Sequence, residues 1–225
     1  EVARDLQKQL WHAHSCRDRT RSATSTSSLE KVLAALEPAA AIEHLGLRVV
    51  TVDSLGVDTV GGSLCEVAGM LDRDAGLVSV SRRFSYPSQR FTLGHEAAHI
   101  VLDVGQRVLH RDIPLERRKV EYDWREVRAN RFSSAYLMPR RLLEDAFEQR
   151  FRVDRIQLSE EVAYALAGVG LYRLRDKLRN RRGLSMAVAG NFSFNGRTFT
   201  SLTEIFRVSS LALAIRLEEL DLVRY

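Results

Sequence analysis

Phe91-Thr-Leu-Gly-His-Glu-Ala-Ala-His-Ile-Val-Leu-Asp103 carries the pattern H-E-x-x-H at His95, Glu96 and His99. Residues four apart share one face of a helix, so His95 and His99 can direct two imidazoles at one metal ion. Glu96 stands beside them, where it can take a proton from a water at that metal. This is the smallest residue set a zinc metallopeptidase needs. Leu93, Ala97, Ile100, Val101 and Leu102 surround the three groups with apolar or small side chains. The helix is therefore expected to be largely buried, and buried ionisable groups need partners.

A zinc site with an open position needs a third protein ligand. The best candidate lies in the segment 122–139, which reads as a helix ending at or before Pro139. Glu126, Ala129, Asn130, Ser133 and Leu137 form its face at helical spacing. The small residues there allow close approach to the motif helix, with Glu126 projecting from the same face. Asn130, one turn further on, can hydrogen-bond a histidine ligand from behind.

The residues Arg90 to His99 read R-F-T-L-x-H-E-x-x-H, and Glu126 to Pro139 read E-x-x-A-N-x-F-x-x-x-x-L-M-P. Together they resemble the ImmA/IrrE family of bacterial metallo-endopeptidases. Phe206 to Leu220 resembles that family's closing F-x-V-S-x-x-A-x-x-x-R-L-x-x-L, and a weaker match covers 29–50. The resemblance implies zinc ligands at His95, His99 and Glu126, with Glu96 as general base. Manganese is also acceptable to a His, His, Glu set. It further implies a substrate class: a helix-turn-helix transcriptional repressor, whose cleavage switches on a stress or mobile-element response. Gly94 departs from the family's common alanine, Ala97-Ala98 from Leu-Gly, and Val127-Arg128 from Arg-Glu. None of these positions is a proposed ligand.

The 225 residues suffice for one good-sized domain or a domain with a subdomain, and 45% hydrophobic residues support a real core. No apolar run approaches the length of a membrane span and no signal-peptide pattern is visible, so the expectation is a cytoplasmic protein without a membrane partner. The two cysteines, Cys16 and Cys65, make no disulfide framework, as suits a reducing compartment. Either thiolate can occupy an open zinc position and act as a thiol switch, set against the commoner fate of an inert cysteine.

The net charge is +5, and the excess is mostly arginine. Arg173, Arg175, Lys177, Arg179, Arg181 and Arg182 cluster with Asp176 the only acid among them. A solvated helix face is one reading, and a contact surface for nucleic-acid phosphates is the other. Phe192, Phe194 and Phe199 follow soon after and offer either core packing or stacking for single-stranded bases. Single-stranded nucleic acid is thus a candidate activator.

Along the chain, residues 1–28 read as a helix and a Ser/Thr/Arg-rich linker, 29–150 as the metallopeptidase domain, and 151–225 as a mostly helical subdomain with a hairpin. Strands are expected at 47–53, 66–71 and 76–81, the last two joined as a hairpin through 72–75, with 54–62 and 105–118 irregular. The last strand is the expected exposed edge for an extended substrate. The class is α+β: a small β-sheet packed on a zincin-like helical bundle carrying the motif. Tyr86, His110, Tyr122 and Tyr136 are the candidate donors to the oxyanion.

Two readings compete with a peptidase. A DNA-binding regulator would use the helix pair within 201–220, but Leu211-Ala-Leu-Ala-Ile-Arg-Leu217 is apolar nearly all round, whereas a recognition helix needs polar side chains. A metal-bound scaffold that senses a ligand without turnover would not need Glu96.

Overall fold

Pro87 fixes the start of the motif helix. It lacks an N–H where a helix needs none, and Ser85 before it is extended. In the computed structural model, which describes residues 1–18, 28–60, 63–103, 110–112 and 123–225, this helix runs over Tyr86–Leu102. The chain divides into two compact units, Glu1–Leu137 and Met138–Tyr225.

The first unit contains, in order, α1 (Val2–Asp18), α2 (Ser28–Ala35), α3 (Pro38–His44), β1 (Arg48–Val52), β2 (Val57–Val60), β3 (Ser63–Glu66), β4 (Gly69–Asp72), β5 (Leu77–Ser81), α4 (Tyr86–Leu102), β6 (His110–Asp112) and α5 (Trp124–Leu137). A four-stranded sheet has the order β1-β5-β4-β6. Strands β1 and β5 are parallel with Arg48 opposite Leu77, while β4 runs antiparallel to both β5 and β6. Helix α4 packs on β4 and β5 and against α5. The expected hairpin through 72–75 is present, with Asp72 Oδ1 accepting from the Ala75 N–H at 2.9 Å.

Four expectations change. Strand β5 is not an exposed edge: it lies between β1 and β4, which pair with both of its edges, and Val78 and Val80 are buried on one face. The segment 54–62 is not all loop, since β2 pairs with β3 as a separate hairpin. The single strand expected at 66–71 is two, separated at Val67 and Ala68, which turn inward and are 2% exposed each. Within 105–118, β6 adds a short strand to β4.

The second unit contains α6 (Arg140–Phe151), β7 (Ile156–Gln157), α7 (Glu160–Ala167), α8 (Leu171–Leu178), α9 (Arg181–Ala189), β8 (Ser193–Phe194), β9 (Arg197–Thr198), α10 (Leu202–Phe206), α11 (Ser210–Glu219) and β10 (Val223–Arg224). Its core joins Leu184 and Val188 of α9 with Leu213 and Leu217 of α11, all fully buried. Helix α6 belongs here and not with the preceding residues. Phe151 meets Phe147, Phe194 and Phe199 with ring centroids 4.8, 5.3 and 5.5 Å away. Those contacts also commit Phe194 and Phe199 to packing, whereas Phe192 stays 67% exposed. Strands β8 and β9 form the expected hairpin, and α9 leads into it. Every residue of 210–218 is buried or half-buried, so α11 is a packing helix with no exposed face for base edges.

Candidate metal centre

Helices α4 and α5 lie side by side and run in opposite directions. Ser133 Oγ donates to the Phe91 carbonyl at 2.8 Å near the start of α4, and Arg128 Nη2 reaches the Leu102 carbonyl at 3.5 Å near its end. Gly94 makes this approach close, because a Cβ there would stand 2.6 Å from Ser133 Oγ. The small face expected on α5 is the buried one: Ala129, Ser133 and Leu137 are 1%, 0% and 2% exposed.

This packing brings His95, His99 and Glu126 together, with their ligand atoms all within 4.8 Å of one another. The two Nε2 atoms are 3.0 Å apart. Glu126 Oε2 is 3.2 Å from His95 Nε2, and Glu126 Oε1 is 3.2 Å from His99 Nε2. Behind the rings, Asn130 Oδ1 lies 3.0 Å from His95 Nδ1 and Asp103 Oδ2 lies 2.6 Å from His99 Nδ1. An ionised carboxylate and an amide oxygen only accept, so each Nδ1 carries the ring proton and each Nε2 presents a lone pair. Two imidazole lone pairs and a carboxylate then converge on one point. That donor set fits a divalent cation, as oriented histidine ligands do in metal centres.

Glu96 and His95 are fully buried and His99 is 5% exposed. Strand β4 passes directly over Glu96. A Cβ on Gly69 would overlap Thr92 Cγ2 and lie 3.2 Å from Glu96 Oε1. Only glycine lets the strand come this near.

Three contributors are new to the sequence reading. Asp103 was detectable as the residue four beyond His99 on the same face. Gly69 and Arg73 had no local signal. Arg73, in the β4–β5 turn, donates through Nη2 to the carbonyls of His99 and, at 3.3 Å, Asp103. It thereby caps the C-terminal end of α4 with a positive charge.

Other expected residues lie elsewhere. Cys65 is a free, buried thiol on β3 and does not join the metal-binding group. The side chains of Cys16, His110 and Tyr122 lie outside the described residues. Tyr136 is ten residues from Glu126, about 15 Å along the α5 axis, and burial followed by the charge of Glu37 pushes its phenol above the usual range. Its neighbour Arg90 is tied to both Glu37 oxygens at 3.3 Å. Tyr86 is 53% exposed and nine residues before His95, about 13 Å along α4. Neither tyrosine reaches the donor cluster.

In the second unit the six basic residues split. Arg181 donates to the carbonyls of Val223 and Glu218 at 2.9 and 3.1 Å. Arg182 makes a two-pronged pair with Glu218 at 2.8 Å for each bond. Arg173, Arg175, Lys177 and Arg179 remain exposed. Among the described residues no helix is long and apolar enough to cross a membrane.

Neither the curated proteins nor the solved structures include a match to this chain. A family model does match, over residues 43–218, and so spans α4 with its motif, α5 with Glu126, and most of the second unit. On that match the chain belongs to the Peptidase_M78 family, with an IrrE N-terminal-like domain: the ImmA/IrrE metallopeptidases that the motifs resemble.

Proposed function

We propose that this chain is a zinc-dependent, site-specific endopeptidase of the cytoplasm. Its substrate is a helix-turn-helix transcriptional repressor, and its cut switches on a stress or defence response. The observation that carries the peptidase reading is the convergence of His95, His99 and Glu126 beside the buried Glu96. The repressor as substrate rests on what the resemblance of the motifs at 90–99 and 126–139 implies.

The residues divide the work as follows. His95, His99 and Glu126 hold the cation, and Asn130 and Asp103 fix the tautomer and tilt of the two rings. A divalent ion held there would supply Lewis acidity for the scissile carbonyl and for the attacking water. Glu96 accepts the proton released as the water attacks the carbonyl carbon. It returns that proton to the amide nitrogen as the C–N bond breaks, so one water is consumed and Glu96 ends as it began. Burial against β4 excludes bulk water from this exchange. An extended substrate meets the sheet at its β6 edge, since β5 and β4 are both interior.

The test pairs metal analysis with cleavage of the helix-turn-helix repressor encoded beside the gene. The intact protein is expected to hold one zinc per chain and to make a single cut. Glu96→Gln keeps the zinc and loses the cut, and Glu126→Ala loses zinc. Zinc bound at these residues with no cut of any partner would favour a ligand-sensing regulator without turnover.

A further inference from the structure

Helix α8 presents an exposed basic face that nothing in the second unit neutralises. Leu174 is buried and Leu171 and Leu178 are half-buried, which turns residues 172, 173, 175, 176 and 177 outward. Among the described residues Arg173, Lys177 and Arg179 have no carboxylate within ion-pair distance. Arg175 lies over the Tyr225 ring, 5.7 Å from its centroid. The neighbouring Arg181 and Arg182 are consumed by α11 and the C-terminal strand, so the exposed four are not simply part of one internal network. The acids nearby are Asp176 on the same helix and Glu160 of α7, which accepts from the Leu171 N–H at 3.1 Å. Amid these cations Tyr172 is 86% exposed. An aromatic ring held in water serves no packing purpose, and beside guanidinium groups it offers a π-face to an unstacked base.

We propose that the α8 face binds single-stranded nucleic acid. Arg173 and Lys177, one turn apart on one flank of the exposed face, and Arg175 with Arg179 on the other contact phosphates, and Tyr172 between the flanks stacks on a base. Three of the four cations are arginine, whose planar fork matches phosphate oxygens in pairs. A duplex shields its base faces and leaves the exposed tyrosine unused, which sets the preference for a single strand. The surface stands whether or not the metal centre hydrolyses peptides.

Fluorescence anisotropy of the full chain with labelled (dT)20 and with a 20-base-pair duplex tests the proposal, at several salt concentrations. Four phosphate contacts predict a log–log salt slope of about −3 for the single strand. Arg173→Glu with Lys177→Glu should weaken binding by about tenfold or more and reduce the slope by about half. Tyr172→Ala should weaken the single strand by about fivefold or more with the slope unchanged. Circular dichroism of each variant, matched to the parent, shows that the fold is kept. No binding at low salt, or binding indifferent to the charge reversal, overturns the site. Equal binding of duplex with no effect of Tyr172→Ala overturns the single-strand preference. Displacement of (dT)20 by polyglutamate at equal charge concentration would assign the face to an acidic polypeptide instead.

Discussion

Asp103 holds His99 from behind: its Oδ2 lies 2.6 Å from His99 Nδ1, one helical turn on, at the residue that ends α4. The carboxylate fixes the ring proton on Nδ1 and keeps Nε2 aimed at Glu126. Asp103→Ala should therefore leave the helix intact while lowering zinc affinity about 10- to 100-fold. Competition with a chromophoric chelator measures this directly. An unchanged affinity would show that the turn alone orients the ring.

Arg73 acts on the same pair through the backbone. Its guanidinium accepts no role in the chemistry; it donates to the carbonyls of His99 and Asp103 and so sets the turn from which the Asp103 carboxylate reaches back. Arg73→Ala should reduce zinc affinity in the parent, with partial recovery in Arg73→Lys. In an Asp103→Ala background the further loss should be small, because both changes disable one device. Full additivity would assign Arg73 to helix stability alone.

The motif helix, its partner helix and the His95–His99 pair were legible in the sequence, because each depends on residues within one helix at spacings of three or four; Glu126 was a candidate on its helix face that the resemblance made a ligand. Asn130 was legible for the same reason. What was not legible depends on chain segments far apart in sequence. Arg73 caps α4 only because the β4–β5 turn folds beneath its end. Strand β5 looks like an edge when its own residues are read, and becomes interior only when β1 adds in parallel on one side and β4 antiparallel on the other. Six basic residues in near succession likewise looked equivalent, yet the carboxylate of Glu218 on a distant helix pairs with Arg182 and its carbonyl ties Arg181.

Gly69 gives a test of the strand that covers Glu96. A methyl group there collides with Thr92 and crowds Glu96 Oε1 at 3.2 Å. Gly69→Ala should retain zinc, since none of the three ligands moves, but lower kcat for the cut by about tenfold or more as Glu96 is displaced from its working position. Thr92→Ser removes the colliding Cγ2 and should restore part of the rate. Equal rates for parent and Gly69→Ala would mean that the approach of β4 plays no part in placing Glu96.

Gly94 sits in a helix interior, where replacing glycine by alanine ordinarily stabilises by about 0.5–1 kcal/mol. Here the new methyl meets Ser133 Oγ at 2.6 Å, and that hydroxyl is committed to the Phe91 carbonyl. Gly94→Ala should therefore lower Tm. In a Ser133→Ala background the hydroxyl is gone and the next nearest atom, the residue 133 Cβ, is at 3.4 Å, which is ordinary contact. Gly94→Ala should then cost little or even stabilise. Calorimetry of the four proteins gives the coupling, and a Gly94→Ala variant as stable as the parent would show that α5 yields to the added methyl.

Glu218 links the second unit's stability to acid. The hydrogen bonds from Arg182, ahead of the other charges nearby, hold its carboxyl below the usual range despite partial burial. A carboxyl whose folded pKa is depressed binds fewer protons when folded than when unfolded. Its contribution is fully present above the unfolded value, about 4.3, and is lost as pH falls through the folded value. Stability should thus decline on the acid side of about pH 5, and Glu218→Gln should flatten that limb while lowering stability at neutral pH. Asp221 adds to the same limb, since its bonds to Arg224 also hold its carboxyl low. Urea unfolding at pH 7, 5 and 3, followed by the fluorescence of a probe in the second unit, measures both effects. If Glu218→Gln loses the same stability at pH 3 as at pH 7, the Arg182 pair contributes through packing and not through charge.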